Sequence, residues 1–378
     1  DGSRASRRAA PLALPAGAAR AALGWPLPPA FQAAQERVSW GLSGRRRLWG
    51  GRRPCGGGRV ARVFYFSGTG NSLWSARKIA QAMGGGCEPE SMAAALPEEG
   101  EGGGAPGSAP CAPLVEADAV VLVFPSYAFG LPMAVRRFAL RAVFRTPYLA
   151  AFVTYGSTPG GTLAALSRIL RRRQREWRRG GGALESGGIE GGAAKDGPPE
   201  GGAPSGAGGI GALFFGRIPA VENYIAIFGA PKEKASARRL AMQAAATEEA
   251  VRCVAERRES RVFGFRPISA FVWLLFSLGL RVFHRRYRVS PGCDGCAICE
   301  MVCPVGAVSM RGGRPEFSAK CEHCQGCLNW CPKKAIHFGR LDSALARYRH
   351  PEINLSDMAG GKRGAGESRR GAPPAQED

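Results

Sequence analysis

Cys293-Asp294-Gly295-Cys296-Ala297-Ile298-Cys299-Glu300-Met301-Val302-Cys303-Pro304 and Cys321-Glu322-His323-Cys324-Gln325-Gly326-Cys327-Leu328-Asn329-Trp330-Cys331-Pro332 are two copies of one spacing, C-x2-C-x2-C-x3-C-P. Between them they hold eight of the chain's twelve cysteines. Three thiols two residues apart can wrap three corners of a small iron–sulfur cube in one tight loop. The fourth corner needs a thiol from elsewhere, and the proline after the last cysteine helps to turn the chain away.

This is the spacing of the bacterial two-cluster ferredoxin run, in which the fourth cysteine of each copy ligates the other cluster. Cys293, Cys296, Cys299 and Cys331 are therefore assigned to one [4Fe–4S] cluster, and Cys321, Cys324, Cys327 and Cys303 to the second. Zinc is the competing reading. Zinc ribbons pair two C-x-x-C knuckles across a spacer of about 15–20 residues and do not need three cysteines in series. Disulfides compete less well, because these thiols lie too close in sequence to pair freely and the chain reads as intracellular, hence cytoplasmic.

Composition bounds the rest. A length of 378 residues suggests two or three domains. Glycine and proline make up about a fifth of the chain, short of the level that marks wholly disordered proteins. The formal charge of +22 counts the cluster thiols as neutral. Two oxidised clusters and a flavin phosphate would lower it to about +16, still basic enough for an acidic protein, nucleic acid or an anionic membrane surface. Residues 1–59 carry eleven arginines against Asp1 and Glu36 and show no apolar period, so a disordered basic leader is expected there. An export signal around Arg7 and Arg8 and a nucleic-acid-binding arm are the lesser readings. Because the first residue is Asp1 rather than Met, the true start is left open. Cys55, Cys87, Cys111 and Cys253 are scattered without ligand spacing and read as ordinary thiols.

Upstream of the cysteines, Val60 to Phe66 reads as a buried parallel strand. Ser67-Gly68-Thr69-Gly70-Asn71-Ser72 follows, and then a helical pattern over 73–83. A strand, a hydroxyl- and glycine-rich turn and a helix make an anion cradle, with backbone N–H groups and the helix N-terminus facing a phosphate. Neither G-x-x-x-x-G-K-[ST] nor G-x-G-x-x-G occurs in this stretch, so a lysine-free cradle of hydroxyls suits the phosphate of FMN in a flavodoxin-like sheet. A second strand over 117–124 leads into Pro125-Ser126-Tyr127-Ala128-Phe129-Gly130 and a helix over 133–144. A third over 148–154 leads into Tyr155-Gly156 and Gly160-Gly161, then a helix over 162–177. Loops leaving the carboxyl ends of such strands line the ligand crevice. Tyr127 and Tyr155 are accordingly the candidates for stacking on a flavin ring, the plainer alternative being that they cover the sheet edge.

A weak strand is expected near 88–92, a strand over 210–218 and a helix over 235–258. Residues 180–209 read as a disordered Gly/Ala/Pro insertion. The most apolar stretch, 267–280, is shorter than the roughly 17–25 residues of a spanning helix. A helix docking two domains is the main expectation, and an interfacial helix flanked by Arg266, Arg281, Arg285 and Arg286 the lesser one. The four histidines show no ligand spacing, and His323 reads as a bystander.

Phe66 to Ser72, Phe124-Pro125 through Pro132, Glu222-Asn223-Tyr224 and the double cysteine run together resemble the flavodoxin–ferredoxin fusion family common in anaerobic bacteria. The resemblance covers roughly residues 60–341. It implies an α/β flavodoxin-like doubly wound parallel sheet over 60–258, a connecting apolar helix over 259–289, and a small α+β two-cluster ferredoxin-like domain over 290–341. A polar tail over 342–378 is expected to follow. Carried over residue by residue, Ser67, Thr69, Gly70, Asn71 and Ser72 would hold the FMN phosphate, with the flavin ring against the Tyr127 and Tyr155 loops. The leading expectation is an electron-transfer protein relaying electrons between FMN, two [4Fe–4S] clusters and a redox protein partner, with the cofactors carrying the chemistry. Nearby Arg288, Lys320, Lys333 and Lys334 should raise the cluster potentials relative to an acidic ferredoxin. An FMN-dependent reductase of a small organic substrate is the runner-up, and a nucleic-acid-associated redox sensor the third reading. Nucleic acid and membrane are not the expected partners, and no acid–base constellation for hydrolysis is evident.

Overall fold

The structure, a computed structural model, describes residues 61–84, 88–96, 113–179, 209–224, 231–262, 267–339 and 346–360. The basic leader, the Gly-rich insertion up to residue 208 and the chain after residue 360 lie outside the described residues, as do Cys55, Cys87 and Cys111.

Strands β1 (Arg62–Tyr65), β2 (Glu90–Ser91), β3 (Leu114–Glu116), β4 (Val120–Pro125), β5 (Val143–Tyr155) and β6 (Ile210–Pro219) form one sheet in which every pairing is parallel. β3 and β4 are one strand with a break. Leu114 pairs with Val143 and Val120 with Leu149, so both segments keep the same register along one side of β5. Counted that way the sheet has five strands in the order 2-1-3-4-5, the flavodoxin-like doubly wound order. The expected strands are all present. β5 starts five residues earlier than expected, because its first residues pair with β3.

Alternation along the strands divides the core. Phe64, Leu122, Phe124, Leu149, Ala151 and Val153 face α2 (Met133–Arg141) and α3 (Thr162–Arg179), meeting Val135, Phe138, Leu166 and Leu170. Val63, Tyr65, Val121, Val123, Ala150 and Phe152 face the other way. They meet Leu73 and Ile79 of α1 (Asn71–Met83) and Ala250 and Val254 of α4 (Glu233–Ala255). Apolar runs covered on both faces are what a parallel sheet requires. Cys253 is buried on α4, its thiol against Glu249, in keeping with an ordinary thiol.

After α4 comes α5 (Pro267–Phe283), then a 3-10 turn, His284–Arg286. The cysteine region follows as β7 (Tyr287–Val289), α6 (Ile298–Met301), β8 (Val308–Arg311), β9 (Arg314–Phe317), α7 (Gly326–Trp330) and β10 (Ile336–Phe338). β7 pairs antiparallel with β10, and β8 with β9. Tyr287 stacks on Phe317 at 4.6 Å, joining the two strand pairs. Each half thus supplies one short helix begun by a left-handed residue, Ala297 or Gln325.

Two expectations need amending. The tail expected from residue 342 is, over 346–360, packed chain: Tyr348, His350, Ile353 and Met358 are buried, and α8 (Leu355–Gly360) lies against the α1 side of the sheet. α5 does dock, through Trp273, Phe276 and Leu280, but only Leu280 is buried. Among the described residues, the helical stretch Pro267–Arg286 is long and apolar enough to cross a membrane.

Candidate functional site

The cysteines come together as two sets of four. Cys293, Cys296, Cys299 and Cys331 line one small cavity, whose apolar walls include Met310, Pro315 and Ile336. Cys331 therefore leaves its own run and joins the first. Cys303 lies near Cys321, Cys324 and Cys327. Burial, and then neighbouring sulfurs including Cys303, push the Cys321 thiol up to about 11 and Cys324 and Cys327 well above the ordinary value. Burial raises Cys299 to about 12, and both Cys296 and Cys331 bear on it in the same sense. The two fourth cysteines also share a local pattern. The Ala307 N–H donates to Cys303 Sγ at 3.1 Å, and the Ala335 N–H donates to Cys331 Sγ at 3.3 Å.

The loops are conformationally constrained. Ala297, His323, Gln325 and Lys334 all adopt positive φ, which non-glycine residues rarely do. Such strain collects where a ligand loop over-determines the backbone. Among the described residues no three His, Cys, Asp or Glu side chains lie close enough to share a single metal ion. The Tyr127 hydroxyl is among the buried polar atoms of the described residues that make no hydrogen bond to protein. Tyr127 is 9 % exposed and its hydroxyl is buried without a hydrogen bond, in a place where burial first and then Cys324, Glu322 and Cys321 raise its pKa. The residues present fit two [4Fe–4S] clusters: soft thiolate donors, converging quartets, sulfur-directed amides and a spare hydroxyl donor.

The hydroxyl turn is differently finished. Gly70 sits at φ 96° and starts α1, and its N–H donates to Ser67 Oγ at 3.1 Å. Thr69 Oγ1 accepts the Asn223 amide at 2.6 Å, and Ser72 Oγ shares a hydrogen with Thr154 Oγ1 at 2.8 Å. Asn71 donates to the Val221 carbonyl and accepts the Tyr348 hydroxyl at 2.7 Å. The turn is roofed as well. The Trp330 indole N–H donates to the Gly68 carbonyl at 3.2 Å, the His350 N–H donates to the Thr69 carbonyl at 2.9 Å, and Ile353 covers Gly70. A Cβ on Gly68 would come within 2.7 Å of the Cys324 carbonyl oxygen, so the cysteine loop lies directly on the turn. Ser67, Thr69, Asn71 and Ser72 are all buried. In this closed arrangement the polar side chains of the turn are bonded to protein and its space is roofed, while α1 begins without a side-chain cap, so an FMN phosphate would have to displace the roof.

The two further loops hold each other rather than an open crevice. Pro125 ends β4, and Ser126 Oγ shares a hydrogen with Thr162 Oγ1 at 2.8 Å. Ala128 and Phe129 take positive φ, Gly130 pairs back to Tyr127, and the Gly161 N–H donates to the Phe129 carbonyl, with Gly160 beneath it. Tyr127 turns its edge to Phe66 and lies beside the second cysteine quartet. Tyr155 is half-buried at the end of β5, and Gly156 abuts Glu222. A cavity of about 320 Å³ begins at Phe129, Gly130 and Gly161 but runs towards α5, away from both tyrosines.

What sequence reasoning missed is the seam. His323, read as a bystander, is 1 % exposed and central. Its Nδ1 bonds the Tyr287 hydroxyl and its Nε2 the Tyr224 hydroxyl, each at 2.9 Å, inside a ring of Phe276, Phe283 and Phe338. Burial lowers its pKa to about 4. Glu322 accepts the Met133 N–H at the start of α2 and pairs with Arg137, while burial pushes its carboxyl up to about 7. Glu222-Asn223-Tyr224 was the one sequence signal for this seam, and it pointed there only as part of a resemblance.

No protein-family model matches the chain, and no curated protein matches it. A solved structure described as a "putative flavoprotein" from Bacteroides uniformis is similar to it at 16 % identity, over 48 % of this chain and 98 % of that one, with a TM-score of 0.23.

Proposed function

We propose that the chain is an iron–sulfur electron-transfer protein that exchanges single electrons with a redox protein partner. One [4Fe–4S] cluster would be held by Cys293, Cys296, Cys299 and Cys331, and the other by Cys321, Cys324, Cys327 and Cys303. The observation that carries this reading is the reciprocal exchange of the fourth cysteine, Cys331 into the first cavity and Cys303 among the second set. Each cluster, when bound, takes up or gives out one electron at a time. The chain's own part is to shape the potentials and the access. Ala307 and Ala335 direct amides at sulfur, and Tyr127 has a hydroxyl to spare. Cys296 is exposed, which leaves that cluster as the one a partner protein could approach.

The deciding experiment is anaerobic reconstitution with iron and sulfide, followed by metal analysis and low-temperature electron paramagnetic resonance. About eight irons per chain and two cubane signals are expected. A chain that takes up zinc in preference and refuses iron with sulfide overturns the proposal.

A flavin role is kept as a second reading on one observation. The hydroxyl turn follows β1, where the order 2-1-3-4-5 reverses direction, and such switch points are where α/β sheets of this order bind ligands. On this reading FMN would enter only after the 346–360 segment and the Cys324 loop draw back. Quenching of FMN fluorescence by the loaded protein tests it, and no quenching at micromolar protein removes it.

A further inference from the structure

We propose that α5 is an in-plane membrane-surface helix that seats the protein on an anionic lipid surface. The helix has seventeen residues, yet its apolar side chains are mostly outside the core. Ile268 is 79 % exposed and Phe271 60 %, and Leu274, Leu275, Leu278 and Val282 are each about half exposed. Ile268, Phe271, Leu275, Leu278 and Val282 follow at steps of three and four, so they form one stripe along one side. A continuous exposed stripe of this kind marks an interaction surface, whereas scattered exposed leucines do not.

Charge selects the occupant. From Ser260 to Cys293 there is no aspartate or glutamate, whereas Arg261 precedes the helix and Arg281, Arg285, Arg286 and Arg288 end or follow it, all exposed. An apolar stripe flanked by arginines is the composition of interfacial helices, whose guanidinium groups reach anionic headgroups while the stripe enters the acyl boundary. A second copy of the chain on this face would bring arginine ends together with no acid in the segment to offset them.

The opposite edge of the helix decides that it lies flat. Trp273 donates its indole N–H to the Leu131 carbonyl at 2.9 Å, Phe276 and Phe283 pack on His323, and Leu280 is buried. The chain then passes through the 3-10 turn into β7. To span a bilayer, α5 would have to leave all of these contacts.

The test is flotation of the full, cluster-loaded chain with phosphatidylcholine vesicles, with and without phosphatidylglycerol. Binding is expected only with the anionic lipid. Phe271→Glu with Leu275→Glu alters exposed positions, so iron content should be unchanged while lipid partition falls at least tenfold. Arg285→Gln with Arg286→Gln should weaken it about thirtyfold at low salt. Retained flotation of the glutamate variant would assign binding to other basic segments and overturn the proposal. So would a wild type that ignores anionic vesicles, or a solution dimer that the glutamate variant dissociates.

Discussion

The cysteine loops and the hydroxyl turn lie against one another, and both have the local form of a cofactor cradle, yet they are completed in opposite ways. In the first, donors are left over: thiols converge, backbone amides point at sulfur, and the Tyr127 hydroxyl has no protein partner. In the second, every side chain of the turn is bonded to protein, and Trp330, His350 and Ile353 close the space. A cradle motif therefore says what a turn can bind, and the accounting of its hydrogen bonds says whether the binding capacity is still there. Buried polar groups must be paired with something. Where protein supplies the partner, a ligand has to displace it.

The largest effect expected from this contrast is on iron content. Cys303→Ser and Cys331→Ser should each remove one cluster and leave the other, lowering iron from about eight to about four per chain. Cys331→Ser should do so by emptying the quartet of the first run. Both variants keeping full iron, or both losing all of it, would break the idea of exchanged fourth ligands. Next in size is Trp330→Ala, which removes a fully packed indole from the roof of the turn. It should lower stability by about 3–5 kcal/mol, read as the denaturant midpoint of the anaerobic protein. A loss below 1 kcal/mol would mean that the roof is not what keeps the turn closed.

Acid should loosen the same roof. His350 stacks on Trp74 at 5.0 Å, and burial lowers its pKa to about 4, Lys78 lowering and Glu352 raising it. Its folded pKa lies below the ordinary histidine value of about 6.5, so its stabilising contribution is complete above that value and is lost as pH falls towards 4. Going from neutral pH to about pH 5 should cost about 2 kcal/mol. His350→Gln should lack that portion of the pH dependence, which unfolding curves at the two pH values would reveal. The smallest effect sharpens the other side. Tyr127→Phe should leave the iron count unchanged and lower one cluster potential by about 40 mV, the equivalent of one lost hydrogen bond of about 1 kcal/mol. Protein-film voltammetry resolves a shift of that size, and two unmoved potentials would detach Tyr127 from the cluster.

Much of the sheet was legible beforehand, since runs such as 120–125 and 149–153 are apolar enough to be buried on both faces. The interruption between β3 and β4 was not, because Ala117 and Ala119 are as apolar as a strand requires and only pairing distinguishes them. The role of His323 was hidden for a different reason. Its partners, Tyr224, Phe276 and Tyr287, are strung along more than sixty residues of sequence, and nothing local links them. The expected polar tail went astray in the same manner, since Tyr348 and Ile353 acquire meaning only against Asn71 and Gly70.

By itself the amino-acid sequence settled whatever depends on short spacing: which thiols sit within one loop, where a strand gives way to a glycine turn, and which helix is apolar. Those properties come from bond geometry and side-chain periodicity across a few residues. Only the tertiary structure decided that the hydroxyl turn is roofed by chain almost three hundred residues away, and that the apolar helix faces outward. Hydropathy is the same for a buried helix and an exposed one. What differs is whether another part of the chain arrives to cover it, and that is fixed by long-range packing.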